Sequence, residues 1–235
     1  LITGDEEGDA INGTKKVVEY LRKKKEKINF CLVGEPTNPN RLGEMMKIGR
    51  RGSLTGNLTI TGLQGHVAYP DRANNPSTTI VTILNELKKI KFDKGTKNFQ
   101  PTNLEVTKIN IQNTADNVIP QLAEATFNIR FNNKHSSTSL KKKLNKIFQR
   151  ISKKNKSKFK INYRVSGEAF LTKPNNTTLM IEKIIKKITN IKPKLSTTGG
   201  TSDLRFIKAI SPGWEFGLVG RTMHRVDEAV SLKDL

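Results

Sequence analysis

The chain has 235 residues, 34% of them hydrophobic, with 42 Lys and Arg against 21 Asp and Glu for a net charge of +21. That apolar content, gathered in short blocks between polar turns, excludes a wholly disordered chain. The single cysteine, Cys31, excludes an intrachain disulfide and a cysteine-rich zinc site and fits a reducing cytoplasm.

No window approaches the roughly 20 apolar residues of a membrane span. The basic excess invites a nucleic-acid or anionic-membrane partner. It lies, however, in runs such as Lys23-Lys24-Lys25 and Lys141-Lys142-Lys143, without interleaved aromatics, which is the pattern of solvated helix faces. Neither partner is expected. The start, Leu1-Ile2-Thr3-Gly4, has no initiating Met and lacks the regions of a signal peptide, so a fragment without its N-terminal part is expected.

In chain order, Leu1-Ile2-Thr3 reads as the end of a buried strand, followed by an acidic loop and a helix from about Lys15 to Lys27, capped by Asn12 or Thr14. Ile28 to Val33 is a compact apolar run stopped by Gly34-Glu35-Pro36-Thr37. Strand, helix and strand imply a βαβ unit in a mostly parallel sheet, with functional groups at the carboxyl ends of its strands.

From Ser53 the pattern changes. A strand carrying Leu54, Leu58 and Ile60 on one face leads to a helix over Pro76 to Lys91, a bulged strand over Leu104 to Ile111 and a strand over Leu122 to Phe131. A helix over Ser137 to Ser152 and a strand over Phe159 to Val165 complete a β-α-β-β-α-β, ferredoxin-like order. The expected fold is thus α/β: residues 1–52 and 166–235 form one discontinuous domain and residues 53–165 an insert. A helix over Pro174 to Ile188 and strands near Lys194 and Trp214 return the chain to the first sheet.

Glu6 and Glu7, flanked by Gly4 and Gly8, would repel one another at a buried strand end unless a cation or shared proton held them. Either could bind a metal while its neighbour acts as general base. An acidic loop capping the following helix is the bland alternative. Glu35 adds a third carboxylate just after an apolar strand, and His224 supplies a neutral nitrogen donor. Such a set suits zinc, cobalt or manganese.

Gly4-Asp5-Glu6-Glu7-Gly8, Gly34-Glu35-Pro36-Thr37, Gly49-Arg50-Arg51-Gly52-Ser53, Gly65-His66-Val67-Ala68-Tyr69-Pro70, Asn117-Val118-Ile119-Pro120, Gly199-Gly200-Thr201-Ser202-Asp203 and His224 together resemble the motifs of succinyl-diaminopimelate desuccinylases. The resemblance runs in order over essentially the whole chain. It implies a cytoplasmic two-zinc amidohydrolase of lysine and peptidoglycan biosynthesis, with cobalt as an alternative metal. Its substrate, N-succinyl-LL-2,6-diaminopimelate, is a small molecule bearing several carboxylates.

Carried over, the resemblance makes Glu6 the general base, Glu7 and Glu35 ligands of opposite metals, and His224 a terminal ligand. His66 would reach the partner subunit's site as oxyanion donor, and the insert would form a homodimer. Arg50 and Arg130 would clamp substrate carboxylates, with Asn117, Gly200 and Thr201 adding hydrogen bonds. The family's remaining ligands, a His and a bridging Asp, lie upstream of the double Glu and are not in this sequence. Gly217 to Gly220 departs from the expected Asn- and Pro-bearing loop. The alternatives are an acetylornithine deacetylase or other aminoacylase on the same scaffold and, more remotely, a non-catalytic protein binding nucleic acid or acidic partners.

Overall fold

Leu54, Leu58 and Ile60 alternate with Thr55, Asn57 and Thr59 along the strand Gly52–Thr61, so its two faces differ in character. In the computed structural model, which describes residues 2–235, this strand pairs antiparallel with Leu122–Phe131 on one side and Lys158–Gly167 on the other. Asn103–Asn110 extends the sheet beyond Leu122–Phe131, with a register shift between Val106 and Lys108.

The helices Pro76–Lys88 and Ser137–Lys154 bury Ile80, Ile83 and Leu87, and Leu140, Leu144 and Phe148, against one face of the sheet. Asn75 and Ser136 cap them with side-chain oxygens, which satisfies amides that have no partner within the helix. The strand order and the two helices give the ferredoxin-like arrangement expected from periodicity. Gly52 and Gly56 stand opposite Phe131 and Phe127, and a Cβ at either glycine would strike the facing ring. Those aromatics therefore fill the space that the glycines leave.

This unit comprises Gly52–Ala169, and the other comprises residues up to Arg51 together with Phe170–Leu235. In the second unit a four-stranded sheet runs Cys31–Val33, Gly213–Glu215, Met45–Lys47, Lys194–Ser196. The two outer pairings are parallel and the central one is antiparallel, so the sheet is mixed. The helix Asn176–Thr189 packs Ile181 and Ile185 with Met46, Ile48 and Trp214, whose indole Nε1 donates to Thr178 Oγ1 at 3.1 Å. Gly49–Arg50 pairs antiparallel with Phe170–Leu171.

The N-terminal segment differs from expectation. Leu1 lies outside the described residues; Ile2 and Thr3 are not in a strand, and Ile2 is fully exposed. Glu6 and Glu7 accordingly sit in a turn rather than at a strand end. The following helix spans Thr14–Lys23 with Gly13 as its N-cap. Asn12 does not cap it, because the Asp5 carboxylate takes the Asn12 and Ile11 amides at 2.8 and 2.7 Å and closes the loop first. No helix among the described residues is long and apolar enough to cross a membrane.

Candidate active site

The strand Cys31–Val33 delivers Glu35 into a turn that is stapled to a second loop. Asn38, buried, donates from Nδ2 to the Gly217 carbonyl at 2.5 Å and accepts the Met45 amide on Oδ1 at 2.8 Å. The Gly220 amide closes on the Asn38 carbonyl at 3.0 Å, and the Gly217 amide donates to Thr37 Oγ1 at 3.3 Å. Glu35 and the Gly217–Gly220 loop thereby form one rigid corner, and with Met223 and Val230 they line a cavity of about 360 Å³.

Burial pushes the Glu35 carboxyl up to about 7; the negative charges of Glu215 and Glu6 add to this, and Arg50 opposes it. Glu6 is likewise raised, first by burial and then by Glu7, against the attraction of Arg205, whose Nη1 lies 3.6 Å from Glu6 Oε1. Asp203 adds a further buried carboxylate, accepting from Thr14 Oγ1 at 2.5 Å. Glu6, Glu35, Asp203 and Glu215 are thus mutually repelling carboxylates moderated by two arginines.

Arg50, expected to clamp substrate, is turned inward. Its Nε and Nη2 fork engages Glu215 Oε2, with Nε at 2.7 Å, and Nη1 donates to the Thr198 carbonyl at 3.2 Å. Arg50 is 7% exposed and Glu215 0%. Two guanidinium nitrogens of Arg50 are thus engaged on one oxygen of a carboxylate inside the fold. The motif signals an arginine fork but not which carboxylate fills it. Glu215 was missed altogether, although Gly213-Trp214-Glu215-Phe216-Gly217, like Val33-Gly34-Glu35-Pro36, puts a carboxylate at the end of a short apolar strand beside a turn-forming residue.

The expected metal ligands are brought together only in part. Glu7 is close enough to Glu6 to raise its pKa, and Glu6 to Glu35. His224 is exposed, in a left-handed conformation at φ 62°, with its amide on Glu228 Oε2 at 3.3 Å. Among the described residues no group of three or more His, Cys, Asp or Glu is placed to hold a metal ion. The carboxylates suit a cation, because a positive charge would relieve the repulsion that raises Glu6 and Glu35. The imidazole does not join them. Gly200 and Thr201 lie on the loop after Lys194–Ser196, where a Cβ at Gly200 would meet nothing within 4 Å.

In the insert, His66 and Asn117 are brought together by a small ribbon in which Gly65–His66 pairs with Val118–Ile119 and the Val67 amide donates to the Asn117 carbonyl at 3.0 Å. His66 Nδ1 accepts the Ala68 amide at 3.1 Å, so the neutral exposed ring carries its proton on Nε2. Arg130 stands on the sheet face opposite the helices. Its Nη1 has no hydrogen-bond partner among the described residues, and burial lowers its pKa.

Comparison with known proteins now bears on these groups. Residues 48–156 match the peptidase dimerisation domain. The whole chain is 78% identical to the succinyl-diaminopimelate desuccinylase of Pelagibacter ubique strain HTCC1062 and 48% identical to that of Parvibaculum lavamentivorans. Over all of its 235 residues the chain is thus similar to succinyl-diaminopimelate desuccinylases. It spans 61% and 60% of the lengths of those two relatives. Solved structures of a putative aminohydrolase and a tripeptidase from Staphylococcus aureus superpose with TM-scores of 0.76 and 0.75. They cover 97% and 94% of this chain, and the matches cover 60% and 57% of theirs. Both are only 15% identical to it, so the likeness is one of fold.

Proposed function

We propose that the protein carrying this chain hydrolyses the amide bond of N-succinyl-LL-2,6-diaminopimelate to succinate and LL-2,6-diaminopimelate. The observation that carries this reading is 78% identity to a desuccinylase over all 235 residues of this chain, with the Glu6, Glu7 and Glu35 carboxylates gathered in one unit. Residues 1–52 and 166–235 form the catalytic domain in this reading, and residues 53–165 the dimerisation domain of a cytoplasmic homodimer. The peptidase dimerisation match supports the dimer.

Glu7 and Glu35 would hold divalent metal, and His224, which stands apart from them in this structure, would have to swing in as the nitrogen donor; zinc is favoured by such mixed donors, with two ions per complete site. Bound metal supplies Lewis-acid polarisation of the scissile carbonyl. Glu6 serves as general base, taking a proton from water and returning it to the leaving amine; its raised pKa brings it nearer neutrality, where such transfer works best. His66 presents Nε2–H to the developing oxyanion in the partner's site. Arg130, with a nitrogen left unpaired, takes a substrate carboxylate, and Asn117, Gly200 and Thr201 contribute hydrogen bonds.

The test is succinate release by the protein carrying this chain, with and without added zinc, set against acetate release from N-acetylornithine. Zinc-dependent turnover of the succinylated substrate is expected. Preference for the acetylated one would replace this reading with a deacetylase.

A further inference from the structure

Thr198 leaves the sheet at the end of Lys194–Ser196, and each of its polar groups is tied down. Its amide donates to Ser196 Oγ at 3.2 Å, its hydroxyl receives Lys47 Nζ at 2.8 Å, and its carbonyl receives Arg50 Nη1 at 3.2 Å. Lys47 is 6% exposed, and the hydrogen bonds it makes are all to neutral groups: Thr198, Ser196 Oγ at 3.5 Å and the Met45 sulfur. The parallel pairing of Met45–Lys47 with Lys194–Ser196 puts Lys47 beside Ser196, within reach of this turn.

Two cations buried side by side cost stability, and Lys47 shows it: burial first, then Arg50, pushes its pKa down to about 8. Stability alone does not account for the arrangement. Its geometry does something more specific. Gly199 follows at φ 105°, and a Cβ there would strike Arg50 Nη1. Three residues on, Ser202 Oγ donates to Glu215 Oε1, the same carboxylate that holds Arg50. The Arg50–Glu215 pair is therefore a crossbar with the loop's entry on one end and its exit on the other. Gly199, Gly200 and Thr201 are left to project between two anchors.

We infer that Lys47 and Arg50 are positioning residues that clamp Thr198 from both sides and fix the direction in which Gly199-Gly200-Thr201 is presented to substrate. The presentation to substrate rests on the proposed desuccinylase reading; the clamp does not. Lys47 acts through Thr198 and touches no reacting atom in this role.

The decisive measurement is amide hydrogen exchange of the chain at residues 199–201, compared among wild type, Lys47→Met, Lys47→Gln, Thr198→Val and the exposed-site control Lys194→Met. Loss of a hydrogen bond from a charged donor should speed exchange there about ten-fold or more in K47M and T198V, with no such change in K194M. K47Q keeps a donor and should retain much of the protection, and K47M with T198V together should exchange no faster than either alone. Exchange in K47M or T198V equal to that in K194M overturns the clamp; should K47M fail to fold, T198V decides alone. In turnover assays K47M should raise KM more than it lowers kcat. Absence of turnover in the wild type would defeat the desuccinylase reading while leaving the exchange result to judge the clamp.

Discussion

The two units solve the problem of cohesion differently. In Gly52–Ala169, aliphatic and aromatic side chains from four strands and two helices form one continuous apolar core, from Leu54 and Phe127 to Phe148 and Ile151. In the other unit the apolar cluster is much smaller, centred on Trp214, Met46 and Ile185, and beside it lie the buried charges Lys47, Arg50, Asp203 and Glu215. Apolar burial stabilises without regard to direction, whereas buried charge is costly unless paired, and pairing fixes geometry. The first unit is built to persist; the second holds groups in orientations that cost stability.

The sharpest way to break this comparison is Phe127→Ala, which empties the centre of the insert and removes the ring covering Gly56. A loss of about 3–5 kcal/mol in chemical denaturation is expected. A loss below ~1 kcal/mol would mean that this core is not what holds the unit together. Next comes Arg50→Met, which strands the Glu215 carboxylate in the interior and should cost about 3 kcal/mol. The double change Arg50→Met with Glu215→Met should recover much of that loss if the pair serves orientation more than stability. No recovery would mark the pair as a net stabiliser.

A pH titration of stability sharpens the same contrast. In the metal-free chain Glu35 holds its proton up to about 7 when folded but only to its ordinary value of 4.5 when unfolded. Between those values the folded state binds more protons, so stability falls as pH rises through the window. Glu35→Gln should flatten that slope, and an unchanged slope in differential scanning fluorimetry from pH 4 to 8 would refute the assignment.

The smallest effect belongs to Asp93 in the insert. Burial pushes its carboxyl up, but hydrogen bonds from Thr102, Gly95 and Asn132 outweigh that and hold it at about 2. Its contribution is complete above the unfolded value of 3.8 and is lost as pH falls through about 2. Asp93→Asn should cost about 1 kcal/mol at neutral pH and weaken the acid dependence, read by urea midpoints at pH 7 and pH 2.

The difference between the units also decided what could be read from sequence. The insert's periodicity is unambiguous because one face of each strand is wet and the other dry: Leu54, Leu58 and Ile60 against Thr55, Asn57 and Thr59. In the other unit the strands are two or three residues long and carry charge inward, so Met45–Lys47 and Gly49–Arg50 give no alternation to detect. Lys47 and Arg50 count as surface residues in any hydropathy pattern, yet both are buried. Ile2 misled in the opposite sense, since an apolar pair without a pairing strand carries no information about burial. Glu6, Glu7 and Glu35 were legible as a carboxylate group. The exposure of His224 and the filling of the Arg50 fork by Glu215 depend on loop paths that sequence spacing does not encode.

The register shift between Val106 and Lys108 bears on how the insert could meet another chain. Asn103–Asn110 lies at one edge of its sheet and leaves Val106 and Ile109 partly exposed. A flat edge would template an added strand of any sequence. Here the bulge twists the backbone midway, so a second strand can follow it in step only on one side of the shift or by carrying a matching irregularity. Indiscriminate edge-to-edge fibre growth is thereby disfavoured.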